Sequence, residues 1–209
     1  MSEKMMLQAG AEALGLSVSL AQQTTLLSYL QYLQKWNKAY NLTAIRDPEQ
    51  MVSEHLLDSL SVANYIEGDL CLDVGTGAGV PGLPLAIIFP EKSFTLLDSN
   101  GKKTRFLKQV VHELALKNII VINSRVEKFS NGLFDVIMSR AVGSLVDLYL
   151  LTKHLQQQAC ELVLLKGLYP KAEVAAAKDM GLEVRVEKLT VPFINAERHI
   201  LISKGGISG

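Results

Sequence analysis

Cysteine is scarce, net charge is absent and no apolar stretch is long, and each shortage closes off a class of protein. Only two cysteines occur in 209 residues. Cys71 lies in the strand-like run LCLDV and Cys160 just before ELVLLK, and neither has a CxxC partner or a neighbouring histidine. Both read as buried, reduced thiols rather than a disulfide or metal framework. Lysine plus arginine equals aspartate plus glutamate at 21 each. Composition therefore gives no argument for nucleic acid, and any RNA contact has to come from a local basic surface. The longest apolar run, around Leu83 to Phe89, contains Pro84 and falls well short of the roughly 20 residues that span a bilayer. MSEKMMLQAG lacks the basic start and apolar stretch of a signal peptide. The expectation is a cytoplasmic, globular protein, with 48% hydrophobic and 20% charged residues in the range that builds a core.

Glycine is missing between Leu16 and Glu67, which suits compact helices. From about Ala9 to Tyr65, Leu26, Leu27, Leu30, Leu33 and Trp36 recur at helical spacing. Asp47-Pro48 marks a further helix start, with Asp47 as its cap. This stretch, residues 1–66, reads as a helical extension; residues 67–209 read as the main domain. After Gly68 short apolar runs alternate with amphipathic stretches. Strands are expected at Leu70–Val74, Phe94–Leu97, Ile119–Ile122, Phe134–Ser139 and Leu162–Leu165. Helices are expected from Gly79 to Phe89, Lys102 to Leu116, Leu145 to Leu155 and Lys171 to Asp179. Two last runs, Glu183–Val191 and Arg198–Ser203, have no helix between them. The pattern predicts an α/β fold of Rossmann-like type, a mostly parallel seven-stranded sheet ending in an antiparallel hairpin. The tail from Gly205 to Gly209 is expected to fray.

CLDVGTGAGVPG carries the first chemistry. A strand ends in Asp73, and Gly75, Gly77 and Gly79 follow at spacing two. Glycines there allow a tight turn and close approach of the backbone to a ligand. The spacing differs from the G-x-G-x-x-G of dinucleotide enzymes. An acid beside the loop suits the amino group of S-adenosylmethionine better than a diphosphate. Asp98 closes the second strand, roughly 20 residues on, where a doubly wound fold places the acid that accepts ribose hydroxyls; a helix cap before Lys102 is the structural alternative. Asn123-Ser124-Arg125-Val126-Glu127 follows the third strand, where main-chain groups of Val126 and Glu127 either read an adenine edge or form an ordinary turn. Arg140 and Lys166 follow the fourth and fifth strands and Arg198 opens the last, so topology aims the first two at the crevice beyond the strand ends. A solvated cation or a local ion pair is the plainer reading of each, most of all for Arg198 between Glu197 and His199.

In order along the chain, WNKAYNLTAIRD, EHLLDSL, DVGTGAGVPGLPLAI, LLDSNGKKTRFL, SRVE, FDVIMSRA, LLKG and ERHIL resemble the glucose-inhibited division protein B family of small-subunit rRNA guanine-N7 methyltransferases. The match runs from about Trp36 to Lys204. The resemblance implies a class I methyltransferase that moves the methyl of S-adenosyl-L-methionine, leaving S-adenosyl-L-homocysteine, to guanine N7 in the decoding-region loop of 16S rRNA, free or in the small ribosomal subunit. It implies a cofactor site of Asp73, Gly75, Thr76, Gly77, Gly79, Val80, Asp98, Ser99, Arg125, Val126, Glu127 and Arg140. It implies acceptor roles for Arg140, Lys166 and Arg198, no metal, no membrane and no obligate protein partner, hence a monomer. Val80 stands where members often have phenylalanine or leucine, and Val126 where alanine is frequent; both keep an apolar contact. N7 has a lone pair and no proton, so the task is alignment rather than base catalysis. The pair His55 and Asp58, three apart on a helix, therefore reads as a structural contact between extension and core. Lys102, Lys103, Arg105 and Lys108 at a helix start, and Trp36 to Asn41, are candidate RNA contacts. The rival classes are a methyltransferase for a small molecule or protein, a nicotinamide-dependent dehydrogenase, and a non-catalytic RNA-binding protein.

Overall fold

In the computed structural model, which describes residues 1–140 and 143–204, the seven strands form one sheet in the order β3-β2-β1-β4-β5-β7-β6. The strands are β1 (Leu70–Val74), β2 (Ser93–Asp98), β3 (Ile119–Asn123), β4 (Phe134–Ser139), β5 (Gln156–Lys166), β6 (Val184–Leu189) and β7 (Arg198–Lys204). The first five run parallel, and β7 inserts antiparallel between β5 and β6. The expected tail at 205–209 and Ala141 of the SRA motif lie outside the described residues.

Side chains alternate across a strand, and here the alternation divides the core in two. Cys71, Phe94, Leu96, Val136, Met138 and Val163 point to one face; Leu72, Val74, Leu97, Ile137, Leu162 and Leu164 point to the other. The first face is covered by α5 (Gly82–Ile88) and α6 (Gly101–Glu113), the second by α7 (Leu145–Thr152) and α8 (Lys171–Asp179). The sheet reads as near-continuous apolar runs because both faces are dry.

The N-terminal helices extend the first core. They are α1 (Glu3–Ala13), α2 (Leu20–Tyr40), α3 (Pro48–Met51) and α4 (Asp58–Leu60), the last two joined by a π-helical stretch Val52–Leu57. Ser19 and Gln22 form a capping box on α2, and the Asp47 side chain caps α3 through Gln50 N–H. Leu26, Tyr29, Leu30 and Leu33 are buried in the same cluster as Leu83, Phe106 and Leu107. Gly10 of α1 lies so close to the Leu57 side chain that a Cβ would collide with it.

Two expectations need correcting. β5 begins at Gln156, six residues before the expected Leu162, so Cys160 lies inside the strand instead of ahead of it and is fully buried. The polar run QQQACE gives no apolar signal, and its pairing with β4 is irregular between Phe134 and Val136. The π-helical stretch is the second difference, because an ordinary helix was expected through residues 48–60.

Candidate active site at the carboxyl edge of the sheet

The strand order turns between β1 and β4, and ligand crevices open at such switch points beyond the strands' carboxyl ends. Two cavities lie there. The first, about 320 Å³, is lined by Val74, Gly75, Leu97, Asp98, Ser99, Ser124, Arg125, Val126 and Glu127. It collects the ends of β1, β2 and β3, and so joins Gly75, Asp98, Ser99, Arg125, Val126 and Glu127 from the sequence-based set.

Asp73, Thr76, Gly77, Gly79 and Val80 do not line this cavity, and all but Gly77 are buried. Asp73 is fully buried, and its Oδ2 accepts from Thr76 Oγ1 at 2.6 Å and from Gly82 N–H at 2.9 Å. The carboxylate thus ties the glycine loop to α5. Its Oδ1 is buried with no hydrogen-bond partner. Burial pushes the Asp73 carboxyl up to about 6, partly offset by Thr76, Gly82 and the Arg140 guanidinium. The loop itself needs glycine. Gly75, Gly77 and Gly79 have φ of 69°, 63° and 106°, a region that L side chains rarely enter. Gly79 also packs against Leu107 Cδ2 of α6, 2.8 Å from where its Cβ would stand.

Asp98 is engaged before any ligand arrives. Its Oδ2 accepts from Gly77 N–H at 2.9 Å, its Oδ1 accepts from Asn100 N–H at 2.8 Å, and Lys103 Nζ stands 3.8 Å away. Asn100, not Asp98, caps α6 through the N–H groups of Lys102 and Lys103. The carboxylate therefore fixes the loop against the end of β2. Behind Ala78, Tyr29 of α2 donates its buried hydroxyl to the Ala78 carbonyl at 2.9 Å, and burial raises its phenol well above the ordinary range. Sequence reasoning did not single out Tyr29; a lone tyrosine on the leucine stripe of α2 is the signal it left.

The second cavity, about 270 Å³, is lined by Ile45, Glu54, Asp58, Arg140, Leu165, Lys166, Gly167 and Arg198. It brings all three expected acceptor cations together. Consecutive residues at the end of β4 connect the two cavities, since Ser139, its last residue, donates Oγ to the Val74 carbonyl at 2.8 Å and Arg140, just after it, lines the second. Arg140 Nη1 donates to the Glu54 carbonyl at 2.9 Å and pairs with Asp58 Oδ2 at 3.1 Å. Arg198 Nε donates to Asp58 Oδ1 at 2.8 Å. Lys166 Nζ donates to the Gly143 carbonyl at 2.6 Å and pairs with Glu173 at 2.8 Å.

Asp58 is the residue whose position decides this geometry. Its side chain is 6% exposed and gives one oxygen to each arginine, whose side chains are 28% and 22% exposed. Asp58 closes the π-helical turn, with its N–H reaching back five residues to the Ser53 carbonyl. Such turns recur at functional sites because they re-aim side chains within a helix. His55 and Asp58 take separate partners: His55 Nε2 meets Thr43 Oγ1 at 3.0 Å, and burial together with Arg140 lowers its pKa to about 4. The expected contact between extension and core exists, made by Asp58 across to β4 and β7.

Of the other candidate contacts, Trp36 stacks on Tyr40 at 5.2 Å and meets Phe106 at 5.7 Å, which ties α2 to α6. Arg105 and Lys108 line a separate cleft beside Asn123 at the β3 edge.

Comparison with known proteins agrees with this layout. Residues 22–201 match the sequence model of the family described as GidB, rRNA small subunit methyltransferase G. The ribosomal RNA small subunit methyltransferase G of Marinomonas sp. (strain MWYL1) is 54% identical over 198 residues, covering 94% of this chain and 95% of that protein. The protein of the same name from Pseudomonas aeruginosa (strain UCBPP-PA14) is 54% identical, covering 94% and 92%. In fold, the crystal structure of a methyltransferase from Pyrococcus furiosus aligns with a TM-score of 0.62 at 18% identity, covering 86% of this chain and 98% of that one. The match over most of the length places this chain in the rRNA small subunit methyltransferase G family.

Proposed function

We propose that this protein transfers the methyl group of S-adenosylmethionine to N7 of one guanine in the decoding-region loop of 16S rRNA. The observation that carries this reading is the pair of cavities joined by Ser139 and Arg140, one lined by Gly75, Asp98 and Glu127, the other by Arg140, Lys166 and Arg198. The residues of the first fit the cofactor. Asp98 and Glu127 border it, Asp73 Oδ1 below is a buried acceptor in want of a donor, and a Cβ on Gly77 would meet nothing nearer than 3.8 Å. A ligand with ammonium and sulfonium cations beside a single carboxylate suits that electrostatics, whereas a diphosphate does not. When bound, the cofactor supplies an electrophilic methyl group on sulfur.

The chain's own part is alignment. Gly75 and the end of β1 would border the amino-acid half, Asp98 the ribose, and Val126 and Glu127 the adenine. Arg140, Arg198 and Lys166 would hold the acceptor guanine and its phosphates. The donors of Arg140 and Arg198 are suited to guanine O6, provided N7 stays open to the methyl. No proton has to leave N7 before transfer, so no base is required. His55, its pKa lowered to about 4 by burial and by Arg140, is neutral near pH 7 and engaged with Thr43. Fixed donors contribute by cutting the positional freedom of base and cofactor, a term that reaches several kcal/mol (~7–11) for well-aligned reactants.

The protein acts as a monomer in the cytoplasm, with residues 1–66 as a helical extension that supplies Asp58 to a cofactor-binding domain of residues 67–209. Among the described residues no helix is long and apolar enough to cross a membrane. Transfer of labelled methyl from S-adenosylmethionine to unmodified 16S rRNA and to small subunits, mapped by cleavage specific for N7-methylguanine, tests the reading. One modified guanine in the decoding-region loop is expected. Cofactor binding without transfer to either substrate would send the acceptor assignment elsewhere.

A further inference from the structure

A third cleft, about 420 Å³, runs along α2, with Gln31, Gln34, Lys35, Lys38, Arg46 and Met51 among its walls. The four α2 residues are spaced three and four apart, which puts them on one helix face. Lys35, Lys38 and Arg46 are exposed, no acidic residue lines the cleft, and among the described residues none of the three has a carboxylate within 4.0 Å. The cations of the acceptor cavity differ, since Arg140, Lys166 and Arg198 are each paired. Lys35 and Lys38, three apart on a helix, repel each other by a few tenths of a kcal/mol (~0.2–0.5) with no local compensation. On a chain of zero net charge three exposed cations share this cleft, and the exposed Asp47 and Glu49, next to Arg46 and Pro48, are not among its walls.

The cleft adjoins the acceptor cavity. Ile45 lines the cavity and Arg46 the cleft; Met51 lines the cleft and Glu54, one turn on, the cavity. The connecting loop is pinned at several points. Thr43 N–H donates to Asn37 Oδ1 at 3.0 Å, Thr43 Oγ1 meets His55, and Arg46 Nη2 donates to Asn41 Oδ1 at 3.2 Å. The cationic groove is thus held in fixed register with the Asp58 cluster. The basic stretch of α6 has no such continuity, because Arg105 and Lys108 open beside Asn123 of β3, on the far side of β2 and β1 from β4.

We propose that this groove is a binding site for the phosphate backbone of the RNA strand flanking the target guanine, with Lys35, Lys38 and Arg46 as phosphate contacts and Gln31 and Gln34 as donors to phosphate or ribose oxygens. The inference rests on the reading that rRNA is the substrate. Contacts of this kind position a strand without reading its bases, so the groove sets affinity and register while the acceptor cavity selects the base.

The test is the variant K35Q/K38Q/R46Q beside the control K117Q/K178Q/K204Q, which removes the same charge from exposed lysines at the opposite edge of the sheet. Binding of 16S rRNA is measured across a range of potassium chloride, cofactor binding by calorimetry, and methyl transfer as KM and kcat. The groove variant is expected to bind rRNA roughly tenfold more weakly near physiological salt, and its slope of log affinity against log salt to shrink by about 2, since each lost contact to a single strand removes about 0.7. KM for RNA rises, while cofactor affinity matches the wild type. The control keeps the wild-type slope. Lys35→Gln alone, with a slope change of about 0.7, serves if the triple variant does not fold. A groove variant with the control's slope overturns the proposal. So does a loss confined to assembled subunits with free rRNA unaffected, which would assign the groove to a ribosomal protein. Wild-type protein that methylates neither substrate removes the functional reading and the groove's role with it; wild-type activity with an unchanged variant slope removes the groove alone.

Discussion

At the scale of single residues, Asp58 and Asp73 carry opposite electrostatic assignments. Asp58 is an anion shared by two arginines. Breaking a fully buried pair costs about 3–5 kcal/mol, but both arginines keep roughly a quarter of their surface in water, so Asp58→Asn should cost about 1–3 kcal/mol in urea denaturation. Methyl transfer should fall on the order of tenfold or more while cofactor affinity stays within about twofold; unaltered transfer would show that the arginines need no key. Asp73 is raised to about 6 by burial, above the roughly 3.9 of an unfolded aspartate. The folded state therefore binds more protons between those values. Stability from neutral Asp73 is fully present below about pH 4 and lost as pH rises through about 6, a change of roughly 3 kcal/mol. Asp73→Asn, which cannot ionise, should gain stability relative to wild type across that window, and a difference independent of pH would remove the assignment. The acids and cations at strand ends were legible in sequence because topology alone brings strand ends together. Asp58 was legible as a contact between extension and core but not as a bridge between two arginines, since these lie 82 and 140 residues away and spacing says nothing at that range.

Among elements, the junction of α5 with β1 and β2 is tight. A Cβ on Gly82 would strike the Leu96 side chain and stand 2.8 Å from Asp73 Oδ2 and 2.9 Å from Asp73 Cβ. Gly82→Ala should therefore displace the very carboxylate that ties the glycine loop down, costing about 1–3 kcal/mol. Calorimetry should show cofactor binding weakened more than the melting temperature shift alone explains; wild-type affinity would mean the loop holds without that tie. The regular elements were readable because near-continuous apolar runs of strand length and capped amphipathic helices are local signals. The first half of β5 was not, since QQQACE becomes a strand through its neighbours and not through its own apolarity. The π-helical stretch was not either, because one extra residue in a helical turn leaves the apolar spacing of Val52, Leu56 and Leu57 almost unchanged.

For the molecule as a whole, the helical extension and the sheet share one core. Tyr29 and Trp36 of α2 meet Phe106 of α6, and Leu57 lies against α1. A chain starting at residue 67 would expose Leu83, Phe106 and Leu107, so it should lose its cooperative thermal transition or aggregate. A sharp melt within a few degrees of the full protein would show the two parts to be separable. Fold class was legible from the alternation of elements, whereas the dependence of the sheet on the extension was not, because both parts read as amphipathic helices whose partners are unstated. The placement of β7 has a further consequence for synthesis. This strand, the last in chain order, lies between β5 and β6 and brings Arg198 to Asp58. A chain released before residue 198 has no strand between β5 and β6 and leaves Asp58 without its second arginine. Synthesis interrupted before β7 is therefore expected to yield a protein without the pair of arginines that Asp58 holds at this sheet edge.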